Sequence, residues 1–144
     1  MICCLLGIPA LALAALLWAR LRLILITVHG SSMEPTYLAG DRVLVRRGAT
    51  PRTGKTVVFR AELRTPSDPP YLVKRIAAVA GERVGTEFAP AVADDVVPAG
   101  SLLVRGDNPL NSLDSRRLGY LTEADVLGLV VFAFRSHSAR LARV

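Results

Sequence analysis

A mainly β domain, built as a coiled antiparallel sheet of barrel-like form after one N-terminal transmembrane helix, is the fold class this sequence predicts. Three observations carry that expectation. Residues 1–19 contain no charged side chain; beyond them the apolar runs become short and β-branched; and turn residues separate those runs at close intervals. A length of 144 residues fits one domain. With 51% hydrophobic and 21% charged residues, the chain has ample surface to bury, which excludes intrinsic disorder.

The first element is the anchor. At a rise of about 1.5 Å per residue, residues 1–19 reach ~28 Å as a helix, close to the hydrocarbon thickness of a bilayer. Trp18 lies where an interfacial aromatic belongs, and Arg20 and Arg22 follow as a basic flank. The alternative is a cleaved signal peptide, since AxA-like triplets occur around Ala10 and Ala12. Against it, no basic residue precedes the apolar run, which is also longer than a usual signal core. The expected division is therefore an anchor with its flank over 1–22 and one domain over 23–144.

Within that domain, strands are expected over 23–28, 42–45, 56–59, 71–79, 102–104 and 127–134. Turn signals fall between them at 39–41, 53–54, 67–70, Gly81, 98–100 and 107–109. A helical turn is expected only over 122–127, where Thr122 can cap and Glu123 follows. Residues 85–98, polar and proline-bounded, read as a surface excursion, and the basic tail 136–144 reads as frayed.

Charge and cysteine usage narrow the function. The net charge is +6, and all 12 acidic residues lie beyond residue 28. The basic residues are nearly all arginine and are scattered, which suits a solvated face with some attraction to anionic lipid and not a nucleic-acid-binding stripe. Cys3 and Cys4 are adjacent, so they neither staple the fold nor form a zinc site by themselves. No cofactor or metal is expected.

Few groups can act as a base. His29 lies three residues before Ser32, on the opposite face of a continuing strand, and His137 sits in the tail, so a Ser/His/Asp triad has weak support. Lys55 stands in a turn. Lys74 interrupts the apolar run 71–79: either it points outward, as strand lysines usually do, or it points inward, where desolvation disfavours the ammonium. An inward lysine loses up to ~3–5 units from its pKa and becomes a general base near neutrality. The run Gly30-Ser31-Ser32-Met33-Glu34-Pro35-Thr36 can supply a nucleophile or be a Ser/Pro turn, and composition alone does not choose. Residues 105–119 concentrate hydrogen-bonding side chains, with Asp107 and Asp114 too sparse for a calcium loop.

Taken in order, these stretches resemble the type I signal peptidases, the serine/lysine membrane proteases. Gly30 to Thr36 is similar to the nucleophile box, and Gly40-Asp41-Arg42-Val43-Leu44-Val45 to the strand after it. Tyr71-Leu72-Val73-Lys74-Arg75-Ile76 with Gly81-Glu82 is similar to the lysine box. Gly106-Asp107-Asn108, Asn111-Ser112, Asp114-Ser115-Arg116 and Gly119 are similar to the closing box. A single block is weak, since LexA-type self-cleaving repressors share Gly-x-Ser-Met. Four blocks in one order are specific.

The resemblance implies Ser32 as nucleophile, Lys74 as general base and the Ser32 N–H as one oxyanion-hole donor. It implies Ser112 as the residue that orients the lysine amine, and Asp114 with Arg116 as a supporting ion pair. Gly30 stands where the family often has serine, which leaves the second oxyanion donor open between Ser31 and a backbone group. Substrates would carry small residues at −1 and −3, facing Val28, Met33, Tyr37 and Val73. Only residues 83–100 separate the lysine and closing boxes, where larger bacterial members insert a subdomain. The chain is thus similar in scale to mitochondrial inner-membrane peptidases and to small actinobacterial maturation proteases.

The implied function is membrane-anchored serine endopeptidase activity that removes signal or leader peptides from precursor proteins. The alternatives are a dedicated maturation protease for one precursor, such as a nickel superoxide dismutase type, or a LexA-like self-cleaving regulator. Location follows as a single pass through the cell membrane. The positive-inside rule, applied to Arg20 and Arg22, would put the domain in the cytoplasm, whereas the resemblance implies the extracytoplasmic side.

Overall fold

The computed structural model describes residues 13, 16–18, 20–60 and 69–136. Their strands are β1 (Leu23–Thr27), β2 (Arg42–Arg47), β3 (Thr56–Arg60), β4 (Tyr71–Val79), β5 (Ser101–Arg105), β6 (Leu121–Thr122) and β7 (Val126–Phe134). All neighbours pair antiparallel, in the order β1-β2-β7-β3-β4-β5-β6. The mainly β expectation holds, and the six expected strands appear with ends moved by a residue or two. The expected anchor falls largely outside the described residues. Positions 20–22 are helical, and among the described residues no helix is long and apolar enough to cross a membrane.

Side-chain alternation explains most of the sheet. In β2, Val43 and Val45 are fully buried while Arg42 and Arg46 are exposed, the period-2 pattern of a strand with one covered face. β3 is buried on both faces from Thr56 to Phe59, as its unbroken apolar run requires of a central strand. Register shifts at Leu44/Val45, Val58/Phe59 and Ile76/Ala78 add local twist and curl the sheet.

β7 is the non-local element. It lies between β2 and β3, pairing Val45 with Val130 and Val57 with Leu129. Gly128 makes this approach possible, because a Cβ there would sit 2.7 Å from the Arg46 carbonyl carbon and nearer still to its oxygen.

Three apolar clusters form. One joins Val57, Phe59, Ile76, Leu102, Val104 and Leu129, and a second joins Val28, Met33, Val43, Val45, Val58 and Val73. The third corrects an expectation. Residues 85–98 are not merely a surface excursion, since Phe88, Val92 and Val97 pack with Ala78 and Leu103. Burying one large apolar side chain stabilises by about 1.5–3 kcal/mol, enough to hold a polar loop down by its few apolar residues. The helical turn expected over 122–127 shrinks to a 3-10 turn, Glu123–Asp125, because β7 already starts at Val126. His137 and the rest of the tail lie outside the described residues.

Candidate active site

Ser32 sits in the connection between β1 and β2, which turns at Gly30 with φ 73°. The base of this loop is tied by Val28 N–H donating to Asp41 O at 2.8 Å and Gly40 N–H to Val28 O at 2.9 Å. Inside the loop, Glu34 N–H donates to Ser31 O at 3.1 Å and Tyr37 N–H to Met33 O at 2.9 Å. The buried Asp41 carboxylate accepts from Leu38 N–H at 3.0 Å and from Ser136 N–H at 2.9 Å. The serine is thus held on a short, internally bonded loop and not on a free one.

Lys74 projects from β4 and is only 2% exposed, so it is the inward lysine. Its Nζ donates to Ser32 Oγ at 2.6 Å. Burial lowers the amine's pKa, Asp114 opposes that shift by its charge, and Arg116 adds to it. The lysine is therefore biased towards its neutral form while touching the hydroxyl.

The closing segment is stitched to both partners. Asn108 N–H donates to Ser32 O at 3.0 Å and its Nδ2 to Ser31 O at 3.1 Å. Asp107 accepts from Arg75 Nε at 2.7 Å and Nη2 at 2.6 Å, a bidentate pair, and from Thr36 Oγ1 at 2.6 Å. Arg75 also donates through Nη1 to Gly54 O at 2.8 Å. The Arg75 bonds, and after them the Thr36 bond, hold the Asp107 carboxyl below its usual range. One carboxylate therefore joins the Ser32 loop, the Lys74 strand and the segment 105–119.

Asp114 is the second hub, 1% exposed. It caps the short helix α1 (Ser115–Leu118), accepting from Arg116 N–H at 3.2 Å. It also accepts from Gly106 N–H at 2.8 Å, Ser112 Oγ at 2.6 Å, and Arg116 Nε and Nη2 at 2.9 and 2.7 Å. Burial pushes its carboxyl up, but the bonds from Arg116, Ser112 and Gly106 outweigh burial and keep it well below the usual carboxylate range. Next to it, Ser115 Oγ accepts from Val104 N–H at 2.9 Å, fixing α1 to β5.

Ser32, Lys74, Ser112, Asp114 and Arg116 are thus gathered in one place. The Ser112 hydroxyl donates its hydrogen bond to Asp114; a bond from Ser112 to the lysine is not formed among the described residues, and the amine's hydrogen bond goes to Ser32. Val28 and Met33, two of the expected pocket residues, are 2% and 1% exposed and belong to the second apolar cluster. Val73 is nearly as buried, while Tyr37 is half-buried and donates to Thr56 Oγ1 at 3.4 Å. Among the described residues the Ser32 N–H has no backbone acceptor. The residues that sequence reasoning left without a role are Thr36, Arg75, Asp107 and Asn108. Their signal was present, since Arg75 directly follows the lysine and Asp107-Asn108 follows a glycine, but pairing across 32 residues of sequence cannot be read from spacing.

Gly106 marks the tightest point. A Cβ there would lie 2.5 Å from Ser32 O and would overlap Ser112 Oγ. Gly106→Ala is expected to push the closing segment off the Ser32 loop, destabilising by about 1–3 kcal/mol as overpacking does. Catalytic turnover should fall more than stability alone explains. Urea unfolding and turnover measured on the same preparation check this, and an unchanged turnover would show that the contact does not position Ser32.

Residues 3–87 and 84–135 match the family described as signal peptidase, peptidase S26. Similar curated proteins include the mitochondrial ATP-independent inner membrane protease subunit 1a of Arabidopsis thaliana, 39% identical over 99 residues, covering 64% of this chain and 58% of the relative. Signal peptidase I of Leptolyngbya laminosa is 28% identical over 134 residues, covering 74% of this chain and 66% of that protein. The chain thus spans less than two thirds of the length of these relatives. Among solved structures, a signal peptidase I from Enterococcus faecalis aligns with a TM-score of 0.43 and 20% identity, covering 56% of this chain and 97% of that one.

Proposed function

The chain belongs to the signal peptidase family, peptidase S26, and from that premise we propose that it is a membrane-anchored serine endopeptidase that removes signal or leader peptides from precursor proteins. The observation that carries the reading is the 2.6 Å contact from Lys74 Nζ to Ser32 Oγ, made by a lysine that is 2% exposed. A buried amine can be neutral near pH 7, and among the described residues Lys74 is the base hydrogen-bonded to this hydroxyl.

In the proposed reaction Lys74 takes the Ser32 proton as Oγ attacks the scissile carbonyl. The oxygen of the tetrahedral intermediate takes up the negative charge and accepts from the Ser32 N–H. The Lys74 ammonium then protonates the leaving amine, which departs as the new N-terminus of the mature protein. Water, deprotonated by the again neutral lysine, hydrolyses the acyl ester and frees the leader. Asp114 and Arg116 take no proton; they hold the closing segment, and their opposed charges set the field at the amine.

The anchor at 1–22 would keep the site at the membrane surface, on the extracytoplasmic side where leader peptides emerge. Small residues at −1 and −3 would face the wall formed by Val28, Met33, Tyr37 and Val73, where the tight packing of Val28 and Met33 suits a shallow subsite.

The test is cleavage of a precursor by the full chain in detergent micelles. Cutting after an alanine at −1 is expected, and replacing that alanine by phenylalanine should lower the rate by more than about 10–200-fold, the range for one surplus methylene in an apolar pocket. Absence of any cutting would remove the proposed function, while equal cutting of both precursors would remove only the shallow pocket.

A further inference from the structure

We infer that Asn108 is a positioning residue that aims the Ser32 N–H at the oxygen of the tetrahedral intermediate. The inference deepens the proposed serine-protease reading and rests on it. Its basis is which carbonyls Asn108 holds. The Asn108 Nδ2 donates to Ser31 O at 3.1 Å across 77 residues of sequence, and the Asn108 N–H donates to Ser32 O at 3.0 Å. Two consecutive carbonyls of the Ser32 loop are thus drawn to one residue.

The Ser31–Ser32 peptide is trans, since the cis bond of this loop is Glu34–Pro35. In a planar trans peptide the N–H points opposite to the C=O. Holding Ser31 O on Asn108 therefore turns the Ser32 N–H away from Asn108, to a side where no backbone acceptor among the described residues meets it. A donor whose carbonyl is already fixed suits an oxyanion, because it neither reorients nor gives up a partner as the charge forms.

The loop does not hold this peptide unaided. Glu34 N–H also donates to Ser31 O, at 3.1 Å, but that bond lies within the loop and moves with it. Just upstream, Gly30 has φ 73° and open space where a Cβ would stand, so no side-chain packing fixes the peptide from that end. Asn108, by contrast, is itself fixed on both sides. Pro109 restricts it to extended backbone, found at φ −103° and ψ 93°, and its carbonyl accepts from Asn111 N–H at 3.2 Å. Asp107, directly before it, is held by Arg75 Nε and Nη2 at 2.7 and 2.6 Å. The rigid closing segment therefore sets the orientation of a peptide that its own loop leaves free to turn.

Two variants test this. Asn108→Asp keeps the side chain's shape but puts an oxygen that cannot donate in place of Nδ2, and Asn108→Ala removes the group; both keep the backbone N–H that bonds Ser32 O. With the full chain in detergent micelles, kcat for precursor cleavage is expected to fall by about 10–100-fold in each, with KM within about twofold of the wild type. That loss is smaller than the ~10²–10³-fold seen when an oxyanion donor is deleted outright, because the N–H remains and only its aim is lost.

The second readout compares a peptide aldehyde with the matching peptide alcohol as inhibitors. Ser32 Oγ adds to the aldehyde carbon, the C=O π bond opens to an oxyanion, and the Ser32 proton passes to Lys74; the alcohol forms no such adduct. Each variant should lose aldehyde affinity by about the factor lost in kcat and keep alcohol affinity within about twofold. The ratio of the two is read within one preparation, so a partly unfolded variant still reports. The pH midpoint of kcat should stay where the wild type has it, because the surroundings of Lys74 are unchanged.

A kcat within about threefold of the wild type in both variants would overturn the inference. Equal losses of aldehyde and alcohol affinity would overturn it too, because Asn108 would then shape the cleft and not the donor. A shifted pH midpoint would do the same, because Asn108 would then act through Lys74. Each of these leaves the protease reading standing so long as the wild type cuts the precursor. A wild type that cuts nothing, and binds the aldehyde no better than the alcohol, would remove that reading and this inference together.

Discussion

Ser32→Ala is expected to lower precursor cleavage by at least about 10⁴-fold, and Lys74→Met by a similar factor, because in the proposed dyad nucleophile and base would act as one unit whose partial loss removes nearly the whole effect. The 2.6 Å contact between Lys74 Nζ and Ser32 Oγ is the reason to expect equal losses. Methionine is the informative replacement, since it fills the lysine's volume without a base. The double variant should be no slower than either single one. Single-turnover cleavage measures all three, and activity within tenfold of the wild type in either single variant would defeat the dyad.

The pH dependence has a defined sign. Burial lowers the Lys74 pKa from its usual 10.5, so activity should rise with pH through that lowered value as the amine loses its proton. The same shift bears on stability. Between the lowered folded value and 10.5 the unfolded chain holds a proton that the folded chain has released, so this residue makes stability rise with pH across that window. Lys74→Met should lose that slope and be at least as stable as the wild type at neutral pH, because an uncompensated desolvation is removed. Urea midpoints from neutral to alkaline pH check the sign.

Asp114→Ala is expected to destabilise the domain by about 3–5 kcal/mol, the range for breaking a buried charge pair by removing one partner. Asp114 is 1% exposed and receives bonds from Gly106, Ser112 and Arg116, so its loss strands several donors at once. Against a total stability of about 5–15 kcal/mol for a typical domain, that loss is severe. Asp114→Asn, which keeps an acceptor and loses the charge, should fall between wild type and alanine.

The Asp114 carboxyl is held well below its unfolded value near 3.9, so its contribution is complete above about pH 4 and is lost as pH falls towards the folded value. The urea midpoints of the wild type and Asp114→Asn should therefore draw together in acid. A destabilisation below about 1 kcal/mol in Asp114→Ala would show that the closing segment is held by its backbone and not by this carboxylate.

Much of this was legible in one dimension. β-Branched runs between turn residues marked six of the seven strands, because alternation with the pleat is a local property. β6, at two residues, is too short to show a period and exists only by pairing Ser101 with Thr122 and Leu102 with Leu121. Ser32 and Lys74 were singled out by residue type and neighbours. Nothing in one dimension pairs Arg75 with Asp107, although their bidentate bond joins two of the three segments of the site. Phe88 was hidden by its surroundings, since a single aromatic in a polar stretch gives no period, and only the proximity of Ala78 and Leu103 makes it core.

By itself, then, the sequence determined which segments are strands, which serine and lysine are candidates, and that the chain is similar to one family across four blocks. Those properties depend on residue type and short spacing. The tertiary structure alone decided which way Lys74 points, that Ser112 bonds to Asp114, and that the last strand slips between β2 and β3 over Gly128. A lysine in an apolar run is compatible with either face of a strand. What turns it inward is the juxtaposition of β4 with a loop 42 residues earlier and a carboxylate 40 residues later, through contacts that exist only when the sheet has curled.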